Sequence, residues 1–243
     1  MLTIKLVNIN NLIFILCGSI LLLSCDNSIQ KSTKNTESKA DQNVNLVDVS
    51  KKKPAIVLEN VDSKFITTHF KFKGKPIEFI KWKDAIGSHI TFTTLTNIVE
   101  QNDPEGEFYG KTRYLNCYHY SENEGYYKLS WIVSDFVENC PVDLTLSFIK
   151  KSLHITDLNK DGIGEIWTMY RSACRGGVDP SEHTLIMYEG SKKHQIKGES
   201  KIEISEADTY GGEITEIKGF KDGDPFVEYA KNFWKKNSKE TWE

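Results

Sequence analysis

The chain has 243 residues, 39% hydrophobic and 27% charged, with a formal net charge of −3. That length and balance describe a globular protein with room for a substantial core; 11% aromatic residues exclude general disorder, and five cysteines are too few for a disulfide scaffold. The only charged residue before Cys25 is Lys5, so a chain beginning at Cys25 carries −4 with no basic stripe, which argues against nucleic acid as a partner.

Leu12 to Leu23 is apolar except for the small Gly18 and Ser19, the length of a signal-peptide core and too short to span a bilayer. It ends Leu22, Leu23, Ser24, Cys25, which resembles the lipobox of bacterial lipoproteins. The resemblance implies that residues 1–24 are a removed signal peptide and that Cys25 is diacylated on sulfur, anchoring the chain to a membrane. Each buried lipid methylene contributes about 0.8 kcal/mol, so two or three acyl chains hold the protein there almost permanently. The competing readings are an uncleaved anchor and an ordinary secretory signal with an incidental cysteine. From Asp26 to Lys53 there is no aromatic residue and a high share of lysine, Ser, Thr, Asn and Gln, too little apolar surface to offset the entropy of ordering. Residues 25–54 therefore read as lipidated cysteine and flexible tether, and 55–243 as one domain.

Past Ala55 the pattern is mostly of period two. Phe70 and Phe72, then Ile77 to Trp82, then Ile90 and Phe92 fall in short runs separated by Gly74, Pro76 and Gly87, as expected for strands joined by tight turns. Asn97 to Gly110 is polar and reads as a loop. Further strands are expected over Arg113 to Tyr120, Tyr127 to Phe136, Leu144 to Ile149, Leu153 to Asp157, Ile166 to Ser172, Thr184 to Tyr188 and Lys193 to Lys197. The fold class is mainly β: one antiparallel domain built as a sandwich, barrel or curved open sheet. A C-terminal amphipathic helix follows, with Asp224 as its cap, Pro225 at its first position and Phe226, Ala230, Phe233 and Trp234 on one face.

The sharpest local motif runs from Asp157 to Glu165. Asp157, Asn159 and Asp161 bring oxygen-bearing side chains to alternating positions, Gly162 permits a sharp turn, Ile163 offers its carbonyl and Glu165 stands at the ninth position. Hard oxygen donors suit Ca²⁺. Thr168 occupies the twelfth position, where an EF-hand requires glutamate, and both flanks read as strands. The run instead resembles the calcium loops of FG-GAP and related β-repeat proteins, which implies a structural Ca²⁺ stapling a turn between neighbouring strands. The alternative is an ion-free Asx/Gly turn. No second copy of the motif occurs, which disfavours a propeller.

Beyond Cys25, the cysteines are Cys117, Cys140 and Cys174. An oxidising compartment favours one disulfide, and Cys140 with Cys174 is the preferred pair. Against it, if residues 142–149, 153–157 and 166–173 form a simple meander, these two finish at opposite ends, beyond reach. Signatures of hydrolases, zinc enzymes and phosphate loops are absent, and no catalytic residue is assigned. Arg171 and Arg175 are two of only three arginines in the chain; they flank Cys174 and lead into the Gly176-Gly177 turn beside Asp179. A planar guanidinium fork suits carboxylate or phosphate, so Arg171, Arg175 and Asp179 could form a ligand loop; pairing of Arg175 with Asp179 is the preferred reading.

Trp131, Asp135 and Phe136 followed by Cys140, Pro141 and Asp143, the run from Ile155 to Ile163, Tyr170 to Gly176, and Leu185 to Glu189 together resemble a family of Bacteroidota lipoproteins labelled surface polysaccharide biosynthesis proteins. The resemblance covers about residues 65–236. It implies a cell-envelope lipoprotein, lipid-anchored at the outer membrane, with surface polysaccharide or its assembly proteins as partners. It carries no catalytic residues over. The expected function is a non-enzymatic factor or binding module for surface polysaccharide production or display. The alternatives are an envelope glycan hydrolase or transferase and a purely structural envelope protein. Exposed Trp82, Trp131 or Trp167 would favour binding; burial of the tryptophans would favour the structural role.

Overall fold

The computed structural model describes residues 55–205 and 208–240. The expected signal peptide, Cys25 and the tether lie outside the described residues. The chain opens with β1 (Val57–Glu59), α1 (Ser63–His69), β2 (Lys75–Asp84), β3 (Gly87–Leu95), β4 (Val99–Asn102), β5 (Phe108–Asn123) and β6 (Tyr126–Cys140). It continues with β7 (Asp143–Phe148), β8 (His154–Thr156), β9 (Glu165–Arg175), β10 (Glu182–Glu189), β11 (Lys192–Glu199), β12 (Lys201–Ser205), β13 (Asp208–Gly211), β14 (Ile214–Lys218) and α2 (Pro225–Asn237).

Two antiparallel six-stranded sheets and a small hairpin carry the fold. In the first sheet, β3 and β4 lie one after the other along a single edge of the long β5, and β6 covers its other edge. Glu124 and Gly125 turn β5 into β6 with φ of 51° and 81°, the doubly positive conformation that matches the twist of a two-residue hairpin. The second sheet repeats the device. β7 pairs with residues 170–175 of β9 and β8 with residues 165–167, both on the edge opposite β10. β7 and β8 are thus one interrupted strand, not two legs of a meander. That arrangement sets Cys140 beside Cys174, and the structure joins them in a disulfide with Cα atoms 5.6 Å apart.

Period-two alternation assigns the side chains to layers. Trp82, Leu115, Cys117 and Val133 of the first sheet pack against Leu146, Phe148, Ile166, Tyr170, Ile186 and Tyr188 of the second, forming the central core of a sandwich. The outer face of the second sheet, with Trp167, Met169, Leu185, Met187 and Ile196, receives Phe226, Ala230 and Trp234 of α2. The outer face of the first, with Ile90, Phe92 and Tyr118, receives Ile66 and Phe70. The order is helix, sheet, sheet, helix. Burial on both faces explains why Glu165 to Tyr170 is buried without interruption, where a one-sided strand would alternate.

The expectations differ from the structure at four places. Phe70 and Phe72 are not strand: Phe70 closes α1, its N–H donating to the Ile66 carbonyl, and both rings drop onto Phe92 at 5.3 and 5.4 Å. Asn97 to Gly110 is not a loop throughout, because β4 and the start of β5 occupy half of it. Only residues 103–107 turn, closed by the Asp103 carboxylate accepting from Glu107 N–H at 2.8 Å. Asp224 stands at the N-cap of α2 but makes no cap hydrogen bond there; its carboxylate accepts from Lys221 N–H instead. Finally, α1, β1 and β12 to β14 had no counterpart among the expected elements.

Candidate functional site

The Asp157–Glu165 segment connects β8 to β9 and curls as the motif requires. Asp157 Oδ2 accepts from Gly162 N–H at 3.2 Å, Asn159 Oδ1 from Asp161 N–H at 3.0 Å, and Asp161 Oδ1 from Ile163 N–H at 2.8 Å. Lys160 and Gly162 turn the chain at φ of 58° and 81°. Glu165 sits at the neck rather than the mouth of this loop. It is fully buried, and its carboxylate accepts from Thr156 Oγ1 at 2.6 Å and Leu158 N–H at 3.0 Å. Burial pushes Glu165 above its ordinary value, and those two hydrogen bonds oppose the rise. Among the described residues no three His, Cys, Asp or Glu side chains converge as a ready-made metal group. The donors that fit a hard cation are oxygens of Asp157, Asn159 and Asp161 with the Ile163 carbonyl, and Asp157 Oδ1 is buried without a hydrogen-bond partner.

The same loop docks on the β2–β3 turn of the other sheet. Ala85 N–H donates to the Gly162 carbonyl at 2.8 Å, and Gly164 N–H donates to Asp84 Oδ2 at 3.1 Å. Gly164 has no room for a side chain: a Cβ would lie 2.9 Å from Ile155 Cγ2 and 3.0 Å from Trp82 Nε1. Asp84 in turn holds His89 Nε2 at 3.1 Å and accepts from Trp82 Nε1 and Ile86 N–H. Burial would raise Asp84, but His89 and these N–H donors outweigh it and bring it down to about 2. His119 Nδ1 lies 2.9 Å from Thr91 Oγ1, and a stack runs from Trp82 through His89, His119 and Trp131 to Tyr188. Burial holds His119 down to about 3, so it is neutral in the folded protein near neutrality. Asp84 and His89 form an acid–imidazole pair, but their side chains are 2% and 5% exposed. This is an inter-sheet latch, closed to substrate. Sequence inspection missed it because His89 and His119 are thirty positions apart and meet only through the β3–β5 register, where Thr91 faces His119.

Arg171 and Arg175 emerge from the end of β9, and the structure turns both toward Glu240. Arg171 Nη1 and Arg175 Nη2 donate to Glu240 Oε1 at 3.3 and 3.0 Å, and the Ser181 and Ser200 hydroxyls donate to the same carboxylate. The chain delivers Glu240 there by pairing with residue 201: Lys201 N–H donates to the Ser238 carbonyl and Glu240 N–H to the Lys201 carbonyl, both at 2.8 Å. Asp179 is exposed on the loop between β9 and β10. The expected ligand loop is therefore, at both arginines, half of a clasp whose other half is Glu240, a residue that no motif singled out.

Among the described residues the tryptophans form no exposed platform. Trp82, Trp167 and Trp234 are buried, and Trp131 is half-buried against Tyr188 at 4.0 Å. The open feature is elsewhere. A cleft of about 860 Å³ lies where β2, β3 and β5 of the first sheet meet β7 and β9 of the second and the last turn of α2. Leu95, Phe148 and Ile149 line it with apolar surface, and Arg113, Ser147, Lys236 and Asn237 supply donors. Its size falls within the range of about 300 to 1,000 Å³ typical of ligand sites. No described helix is long and apolar enough to cross a membrane. Comparison with protein-family models, curated proteins and solved structures finds no match.

Proposed function

We propose that the chain is a bacterial envelope lipoprotein, lipidated at Cys25 and held at the outer membrane, whose β domain is a non-enzymatic binding module for the production or display of surface polysaccharide. The observation that supports the binding role is the cleft between the two sheets and α2, where apolar surface from Leu95, Phe148 and Ile149 adjoins the hydrogen-bond donors of Arg113, Ser147 and Asn237. Such a mixture suits a sugar, which presents an apolar ring face and a rim of hydroxyls. The test is a deletion strain complemented with wild type or Cys25→Ala and read out by its surface-polysaccharide profile, together with binding of the full-length chain to that polysaccharide. An unchanged profile and no binding would reject the reading. Detergent-phase partitioning checks the anchor: recovery of the wild type in the aqueous phase would refute it.

Ca²⁺ in the Asp157–Glu165 loop belongs to the same proposal, in a structural role. The buried, unpartnered Asp157 Oδ1 supports it. The expected result is a higher melting temperature in Ca²⁺ than in chelator, abolished by Asp161→Ala; identical melting curves would sink it.

A purely structural envelope role is favoured by one specific observation, the burial of Trp82, Trp167 and Trp234 in the cores. Absence of glycan binding alongside a general loss of envelope integrity would select that role.

A further inference from the structure

The sandwich cleft has an uneven charge. Among the described residues its lining includes five basic side chains and no acidic one, in a chain whose net charge is negative. Arg171 is clasped by Glu240 and Lys239 by Glu203, and Lys150 is also engaged. Arg113 differs. It projects from β5, and the hydrogen bond identified for it runs from Nε to the Thr96 carbonyl at 3.0 Å. Among the described residues no carboxylate pairs with it. It is also partly withdrawn from water, and this desolvation holds it below the ordinary arginine value. A half-buried guanidinium without a counterion is costly to keep, and the planar fork of Nη donors is the geometry that fits a carboxylate.

Lys236 faces the same cleft from the last turn of α2 and lines the neighbouring groove of about 640 Å³ as well, where Lys231 and Lys235 join it. The cationic surface therefore runs out of the cleft and along the helix, as an extended chain would need. The C-terminal dipole of α2 opposes an anion by about half a charge, and these lysines outnumber it. The apolar lining provides a place for ring faces between charged groups. A small free anion would use the charge and leave the apolar surface and the second groove without a role.

Resting on the polysaccharide-binding reading above, we propose that the cleft selects acidic polysaccharide, a polymer bearing carboxylate groups, with Arg113 as the carboxylate-recognising residue and Lys236 guiding the chain out along α2.

The test uses the full-length chain in detergent and the cell's own surface polysaccharide, native and after chemical reduction of its carboxyl groups, with polygalacturonate as a defined acidic probe. The expected result is binding to the native and defined acidic polymers that falls about tenfold or more on carboxyl reduction and weakens as salt is raised. Arg113→Gln should reproduce that fall, and Arg113→Lys should recover only part of the affinity. Because Arg113 also bonds Thr96, Lys236→Gln on the exposed helix surface serves as the second variant, and melting curves confirm that each variant is folded. Equal binding to native and carboxyl-reduced polymer would overturn the acidic preference while leaving polysaccharide binding standing. No binding to any polymer would overturn both. Binding to phosphatidylglycerol vesicles at least as tight as to the acidic polymers, and lost in Arg113→Gln, would overturn polysaccharide as the ligand in favour of a lipid surface.

Discussion

Glu240 Oε1 lies 3.0 Å from Arg175 Nη2, and the two side chains are only 2% and 10% exposed. Arg171 and two serine hydroxyls complete the carboxylate's hydrogen bonding, which is what a buried ion pair needs if it is not to cost stability. Removing the carboxylate alone leaves two guanidinium groups facing each other in a dry corner. Glu240→Ala should therefore destabilise by about 3 kcal/mol in chemical denaturation. A change below about 0.5 kcal/mol would show that the clasp contributes nothing.

The same clasp gives a pH dependence. Burial pushes Glu240 upward, but the Ser200 and Ser181 hydroxyls and the two arginines overcome it and hold the carboxyl below its ordinary value. A carboxyl depressed on folding contributes stability above its unfolded pKa of about 4.3 and loses that contribution as pH falls through the folded value. Wild type and Glu240→Gln should thus converge in stability as pH drops below about 4. A gap that stays constant from pH 7 to 3 would refute the assignment.

The histidines titrate over a different window. Burial holds His119 down to about 3 and His183 down to about 4. Each is neutral when folded and takes up a proton more readily when unfolded, so each lowers stability as pH falls from about 6.5 toward its folded value. For His183, which is fully buried, the full effect is on the order of 3 kcal/mol. His183→Leu should flatten the stability curve between pH 6.5 and 4. An unchanged slope there would show that His183 is not the group responsible.

Gly198 lies at the bulge where β11 meets β14, and a Cβ there would come within 2.0 Å of the Glu213 carbonyl and 2.8 Å of the Trp234 ring. Neither neighbour can yield, since one is backbone and the other is the Trp234 ring held on the buried face of α2. Gly198→Ala should cost about 3 kcal/mol or more and detach the helix from its sheet, visible as a gain in Trp234 solvent exposure. Wild-type stability would contradict the tight packing described for this corner.

Reduction of the Cys140–Cys174 bond releases a loop closed across 34 residues. In the chain-entropy account this costs about 3 to 4 kcal/mol, so the Cys140→Ser, Cys174→Ser double variant should melt about 6 to 16 °C lower. Cys117 should remain unreactive toward thiol reagents until the protein unfolds, because complete burial pushes its thiol well above the ordinary range. Rapid labelling of the native protein would contradict that burial.

The parts legible in the sequence are those where one segment contains the whole signal. The mainly β character came from short alternating runs, and α2 from Phe226, Ala230 and Trp234 at helical spacing, which are the three residues its sheet buries. The Asp157 loop likewise folds from its own residues. What stayed hidden depends on register between distant segments. α1 has seven residues, too few to display a period. The disulfide hinged on whether β7 and β8 share one edge of β9, which no local pattern states. Glu240 is one acid among many until Lys201 pairs with its backbone, and Arg113 looks like any cation in a strand until the described residues around it are seen to hold no carboxylate paired with it.

Cys117 lies in the central core with no exposure, between the sheets that also carry the Cys140–Cys174 bond. A thiol so enclosed cannot act as the attacking partner in exchange, and closure of the sandwich withdraws the one free sulfur among the described residues that could reopen or redirect the bridge. During oxidation, any pairing that uses Cys117 must be undone before Leu115 and Val133 can pack over the facing sheet. The core thereby proofreads the crosslink: a chain with Cys117 engaged cannot close, and among the described residues the closed domain presents no accessible thiol to undo the Cys140–Cys174 choice.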